Sequence, residues 1–191
     1  MKITDLRPDD DNAIRQAAAL LVEGFREHWP AAWPDLASAM ETVQESFGAD
    51  RVSRVALDDD GTVLGWIGGI QHYSHAWELH PLVVRLDRQQ QGIGRALVLD
   101  LEEQVRQRGA LTLFLGTDDE DNMTSLAGVN LFPNVFKHVA NIKNLRRHPY
   151  EFYQKLGFVI VGVLPDANGP GKPDILMAKS VRPLTPSLPS P

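Results

Sequence analysis

Six residues, Gln89-Gln90-Gln91-Gly92-Ile93-Gly94, stand between an apolar stretch at 77–86 and an amphipathic stretch at 94–108. The first stretch reads as a strand. The second places Ala96, Leu97, Leu101 and Val105 on one side of a helix and meets a stop at Gly109. A glycine-containing turn from strand to helix lets backbone approach a ligand closely. The helix that follows offers free N–H groups and positive dipole character to an anion. The turn has no Walker lysine and is shorter than a dinucleotide fingerprint. Taken alone it is either a phosphate cradle or a softened turn, but it fixes a β-loop-α unit at the centre of the chain.

The other segments fit around that unit. Residues 2–6 read as a short strand. Asp10, Asp11 and Asn12 offer caps to a helix over 13–25, where Ile14, Ala17, Ala18, Leu21 and Phe25 recur at helical spacing. A second helix spans 35–47. Strands follow at 51–57 and 62–71 around the turn signal Asp58-Asp59-Asp60-Gly61. Pro81 within the next strand predicts an edge, a bulge or a point where pairing stops. After the central helix come a strand at 110–115, a polar loop at 118–130 and a helical stretch at 132–144. A short helix at 149–156 and closing strands at 158–164 and 174–181 complete the order. This predicts one α/β (α+β) domain over 1–181, a single mixed central sheet flanked by helices. The Pro/Ser-rich tail at 182–191 is expected to be disordered.

Composition excludes several classes. There is no cysteine, so neither a disulfide nor a thiol nucleophile is possible. A net charge of −6 argues against binding a nucleic-acid backbone. No apolar run approaches the ~20 residues of a membrane helix. The opening residues do not resemble a signal peptide, so a cytoplasmic protein is expected. His72, His75 and His80 lie close in sequence with Glu78 between them, but their spacing is not a standard zinc pattern, and no metal is expected.

Gln89, Gly92 and Gly94 fit the pattern Gln/Arg-x-x-Gly-x-Gly/Ala after a strand. The segment 150–158 carries a tyrosine just before Leu156-Gly157-Phe158. In this order the two motifs resemble the GNAT superfamily of N-acetyltransferases. The segments 77–84, 116–119 (Gly-Thr-Asp-Asp), 148–157 and 161–177 are similar to one aminoglycoside 6'-N-acetyltransferase subfamily, with the likeness running from about 77 to 179. At the position of Gly92 that subfamily also accepts other residues, so this chain follows the general pattern more closely.

The resemblance implies a GNAT fold with splayed fourth and fifth strands. It implies acetyl-CoA as co-substrate, a small cationic amine such as an aminoglycoside as acceptor, direct transfer between them, and a homodimer. Residues 89–94 would hold the pyrophosphate. Leu82, Val83 and Val84 would line the pantetheine arm, with a backbone N–H near Leu82 facing the thioester oxygen. Glu78 matches the family's acidic residue, as base through a water or as anchor of the substrate ammonium. His80, on the same strand face, would hold that water or be a packed histidine. Tyr153 matches the acid for the departing thiolate, and Tyr150 is the structural neighbour. Asp118, Asp119 and Asp174 are expected to face the substrate's ammonium groups, against the ordinary reading of an acidic run as a solvated loop. Two alternatives stay open at this point: an acetyltransferase for a polyamine or peptide amine, and a non-catalytic CoA-binding module.

Overall fold

The computed structural model describes residues 1–182; the expected disordered tail lies, from residue 183 on, outside the described residues. Seven strands form one sheet: β1 (Lys2–Asp5), β2 (Arg51–Leu57), β3 (Val63–Tyr73), β4 (Ala76–Val84), β5 (Thr112–Asp118), β6 (Val159–Leu164) and β7 (Asp174–Ser180). Their spatial order is β1-β2-β3-β4-β5-β7-β6. All neighbours are antiparallel except β4 and β5, which run parallel.

Helices cover both faces. On one side lie α1 (Asp11–Phe25) and α2 (Leu36–Glu45). Asp10 caps α1 by accepting from the Ala13 N–H at 3.0 Å, and Asp35 caps α2 by accepting from Ser38 at 2.9 Å. Their apolar stripes, including Ala17, Leu21, Ala39 and Val43, pack with Val55, Trp66 and Val83 of the sheet. On the other side α3 (Ile93–Gln107) inserts Leu97, Leu101 and Val105 against Ile67, Trp77, Leu79 and Leu113. Burying a side chain of this size contributes roughly 1.5–3 kcal/mol, so the two apolar layers dominate the stability of the fold.

The expected helix at 132–144 is present but ends early, at Ala140. A single 3-10 turn at Phe132–Asn134 leads into α4 (Val135–Ala140), and the chain has left helix by Asn141. Phe132 and Phe136 stay exposed, so no apolar stripe holds a longer helix against the sheet. The last helix, α5 (Tyr150–Lys155), ends before Gly157, whose φ of 90° is the left-handed conformation that glycine adopts without strain.

Two irregularities in β4 position everything that follows. Gly69 pairs with Leu79 and Ile67 with Leu82, so His80 and Pro81 together face the single residue Gly68. This β-bulge inverts the strand's faces. Before it, Trp77 and Leu79 point toward α3; after it, Leu82 and Val84 do, while Val83 joins the α1–α2 layer. Gly68 is required at the bulge. A Cβ there would collide with the His80 carbonyl oxygen and lie 3.1 Å from its carbon. The second irregularity is the β4–β5 pairing, which covers only Ala76 with Thr112, Trp77 with Leu113 and Glu78 with Phe114. Beyond Glu78 the two strands diverge. The splayed fourth and fifth strands and the mixed, helix-flanked sheet both match the expectation from sequence.

Candidate active site

The divergence of β4 from β5 opens a cleft of about 1090 Å³. That exceeds the roughly 300–1,000 Å³ of a site for one drug-sized ligand, so it has room for two reactants.

One end is built to receive an anion. Gly92 caps α3 at φ 85° with no side-chain cap, and a Cβ added there would meet nothing within 4 Å. The first intrahelical bond runs from the Ala96 N–H to the Gly92 carbonyl. The N–H groups of the preceding turn therefore have no helical partner. Gln89, Gln90, Gly92, Ile93 and Gly94 line the cleft here, together with Leu82, Val83 and Val84 of β4. Gln91 does not line it: its side chain turns back to the Asp87 carbonyl at 3.5 Å. Two cations that the sequence reading missed, Arg88 and Arg95, also line this end. Their positions flanking the glycine turn were the available signal.

The other end is aromatic and acidic. Phe25, Trp29 and Trp33 form a wall between α1 and α2. The Phe25 and Trp33 rings meet edge-on at 4.6 Å, and Trp33 donates its indole N–H to Thr42 at 2.9 Å. The indole N–H of Trp29 is buried without a partner. Phe25 was read from sequence only as part of the helix stripe, and Trp29 and Trp33 were not singled out, because they follow that helix in a segment with no recognisable motif. His80 is exposed, lines the cleft and lies 6.2 Å from the Trp33 ring.

The acidic run after β5 divides into separate jobs. Asp118 lines the cleft and accepts a hydrogen bond from the Asn168 amide. Asp119 does not. It is fully buried, and its two oxygens accept the N–H groups of Met123 (2.7 Å) and Thr124 (2.8 Å). That corrects the expectation that it faces substrate: both oxygens are spent holding the loop. Glu120 pairs with Lys172 at 3.4 Å, and Asp121 with His28 at 2.7 Å.

Glu78 and Asp174 are not among the residues lining the cleft itself; they lie on the adjoining sheet surface. Trp77, Leu79, Leu115 and Ile175 all point into the α3 layer, so Glu78, Gly116 and Asp174 point to the opposite face. The Asp174 carboxylate lies over Gly116, where an added Cβ would come within 2.5 Å of Oδ2. Its Oδ1 is buried with no partner. Burial first, then the neighbouring charges of Asp118 and Glu78, push its carboxyl up to about 6. The carboxylate of Glu78 is bonded to Nε2 of His72 at 2.7 Å. The three nearby histidines do not converge: His75 bonds the Gly109 carbonyl at 3.2 Å, and His80 faces Trp33.

Tyr153 lines the cleft from α5, with its ring 5.0 Å from Phe152 and 5.8 Å from Phe158. Burial pushes its phenol well above the usual tyrosine range, so it holds its proton at neutral pH. Tyr150 is buried in the core, as its structural reading requires. His148 fastens α5 to β5. Its Nδ1 accepts the Tyr150 N–H at 3.2 Å, which leaves Nε2–H to donate to the Asp118 carbonyl at 2.9 Å. Burial lowers its pKa, in keeping with this neutral tautomer.

A model of the Acetyltransferase (GNAT) family matches residues 15–127, more than half of the chain. The chain belongs to the GNAT acetyltransferase family. Three solved structures extend this GNAT assignment across nearly the whole molecule. An aminoglycoside 6'-N-acetyltransferase complexed with coenzyme A is 44% identical with a TM-score of 0.88, over 97% of this chain and 99% of that one. The aminoglycoside 6'-N-acetyltransferase from Enterococcus faecium is 42% identical with a TM-score of 0.85, over 97% and 99%. An aminoglycoside 6'-acetyltransferase type Ii is 39% identical with a TM-score of 0.73, over 97% and 100%. At this identity and coverage the chain is a member of the family these enzymes form. Among curated proteins none matches the chain.

Proposed function

We propose that this GNAT enzyme transfers an acetyl group from acetyl-CoA directly to the 6'-amine of aminoglycosides and thereby confers resistance to them. The observation that carries the reading is the cleft between β4 and β5, with unpaired helix N–H groups at one end and carboxylates beside the other. The chain's likeness along almost its full length to aminoglycoside 6'-N-acetyltransferases supports it.

The residues fit coenzyme A. The open Gly92 turn, the first turn of α3 and the guanidinium groups of Arg88 and Arg95 suit a pyrophosphate. Leu82, Val83 and Val84 lie where the pairing of β4 with β5 has stopped; the backbone groups of Leu82 and Val84 alternate away from β3 and suit the amides of a pantetheine arm. Acetyl-CoA supplies the activated acyl group as a thioester. The backbone N–H of Leu82, just past the bulge, polarises its carbonyl. Glu78 takes a proton from the acceptor's ammonium through a water held by His80. Tyr153, kept protonated by burial, gives its proton to the departing thiolate. Asp118 and Asp174 receive the acceptor's other ammonium groups. Each desolvated charge-assisted bond contributes about 1.5–3 kcal/mol, so two or three suffice for micromolar binding.

We further propose that the enzyme acts in the cytoplasm, where acetyl-CoA is made, and that it is a homodimer. Among the described residues no helix is long and apolar enough to cross a membrane. Edge strand β6 exposes Val159, Val161 and Leu164 and carries no charged residue to discourage pairing, which suits a second copy. Light scattering should give twice the chain mass, and Val161→Lys should halve it.

The test of the function is thiol release from acetyl-CoA by the purified protein, with kanamycin, spermidine and an N-terminal peptide compared as acceptors. Release with kanamycin alone is the expected result. Release only with spermidine or the peptide overturns the aminoglycoside assignment. Binding of coenzyme A without release from any amine overturns the enzymatic one.

A further inference from the structure

Acetyl transfer to a protonated amine leaves one proton over. The acceptor arrives as R–NH3+. It must lose one proton to free the lone pair that forms the N–C bond, and a second to become a neutral amide. The sulfur that leaves when the C–S bond breaks takes one proton. The other must reach solvent. Tyr153 can serve the sulfur, and the proton taken by Glu78 has to leave a side chain that is only 24% exposed.

From the surroundings of Glu78 we infer that His72 is a working part of this site: it positions the Glu78 carboxylate and carries the surplus proton out. His72 is the extra residue at a second β-bulge, since Gln71 pairs with Trp77 and Tyr73 with Ala76. Bulges of this kind re-aim side chains beside active sites. The ring reaches past β4 to lie 5.8 Å from the Phe114 ring on β5, and the small side chain of Ala76 leaves it room. Nε2 meets Glu78 Oε2 at 2.7 Å, and 46% of the His72 side chain is open to solvent. One edge of the imidazole therefore holds the carboxylate while the remainder faces water. Among the described residues no other titratable partner is bonded to either group; Asp174 faces Glu78 from β7, with Asp118 beyond it.

In this sequence the first ammonium proton moves to Glu78 Oε1, because Oε2 is held by the His72 Nε2–H, and passes by water to Nδ1 of His72, whose imidazolium releases it to solvent before the next acceptor binds; the second proton leaves the acylated nitrogen and replaces the one Tyr153 gave to the sulfur. Atoms and charge balance: R–NH3+ and the thioester give the acetamide, the free thiol and one proton. The inference rests on the acetyl-transfer reading of the same site.

The test compares the wild type with His72→Ala and His72→Gln. Glutamine keeps an N–H for Glu78 but cannot carry a proton. With saturating acetyl-CoA and kanamycin, H72A should lower kcat about 10²-fold, the low end of what a positioned acid–base group contributes. KM for acetyl-CoA and the unfolding temperature should stay unchanged, and added imidazole should restore the rate. H72Q should keep the acceptor KM and still lose kcat. Turnover of H72A within twofold of wild type, or of H72Q at the wild-type rate, overturns the proton exit, as does a loss that imidazole does not restore. A wild type inactive with every amine instead overturns the function itself. Independently of turnover, proton NMR should show a downfield His72 ring N–H that disappears in Glu78→Ala. Its absence from the wild type overturns the pairing.

Discussion

Replacing Gly68 by alanine should disable catalysis from a position that lines no part of the cleft. Gly68 is the one residue opposite the His80–Pro81 bulge. An added Cβ would lie 3.1 Å from the His80 carbonyl carbon and 3.4 Å from Pro81 Cδ, and closer still to the His80 oxygen. Carbon and carbonyl oxygen ordinarily meet at about 3.3 Å, so the strands must part by ~1 Å. Both His80 and Pro81 belong to the bulge itself, so no flexible side chain can give way instead. Overpacking of this kind costs about 1–3 kcal/mol of stability. The larger effect falls on the reaction. His80 and the N–H of Leu82 sit at the bulge, and a ~1 Å misplacement of reacting groups costs about 10²-fold in rate. Steady-state thiol release should show kcat down by that factor, with KM for acetyl-CoA raised as well, because Leu82 and Val84 hold the pantetheine arm next to the bulge. Gly162→Ala is the control, since its methyl would meet only Leu176 Cδ1, at 4.0 Å. If G68A keeps kcat within twofold of wild type, the bulge does not position the reacting groups.

Four further substitutions separate the roles assigned here. Tyr153→Phe should lower kcat about 10²-fold with both KM values unchanged, read by the same assay. Asp174→Asn should change the pH dependence of stability. Burial pushes the folded carboxyl up to about 6 from the ordinary 3.8, so the native state holds the extra proton between these values. The wild type should therefore lose stability relative to D174N as pH rises from about 4 to 7, measured by thermal unfolding at each pH. Asp119→Ala should strand two buried N–H groups, at roughly 1–3 kcal/mol each. Its signature is a lowered unfolding temperature, whereas Asp118→Asn should raise the aminoglycoside KM at unchanged stability.

How far the sequence could be read depended on whether the information was local. The Asp10 cap, the amphipathic helix after Gly94 and the hairpin at Asp58–Gly61 are each set by a few adjacent residues, and all appear where the pattern places them. Pro81 announced an irregularity, but the inversion of β4 depends on its register with Gly68, some twelve residues away. The acidic run shows the same limit. Asp118 to Asp121 look equivalent in sequence, yet Asp119 is turned inward by the loop it braces, while Glu120 and Asp121 meet cations from distant segments. Asp174 and Glu78 are almost a hundred residues apart, and only the β5–β7 pairing brings them onto one surface. His72 was visible only as one of three clustered histidines; its link to Glu78 needed the bulge.

The central claim is acetyl transfer to the 6'-amine, and the direct measurement is thiol release from acetyl-CoA with kanamycin against an analogue carrying a 6'-hydroxyl in its place. The account predicts rapid release with the amine and none with the hydroxyl. Equal release from both would contradict it by moving the acetyl group to another amine. No release from either would remove aminoglycosides from the account altogether.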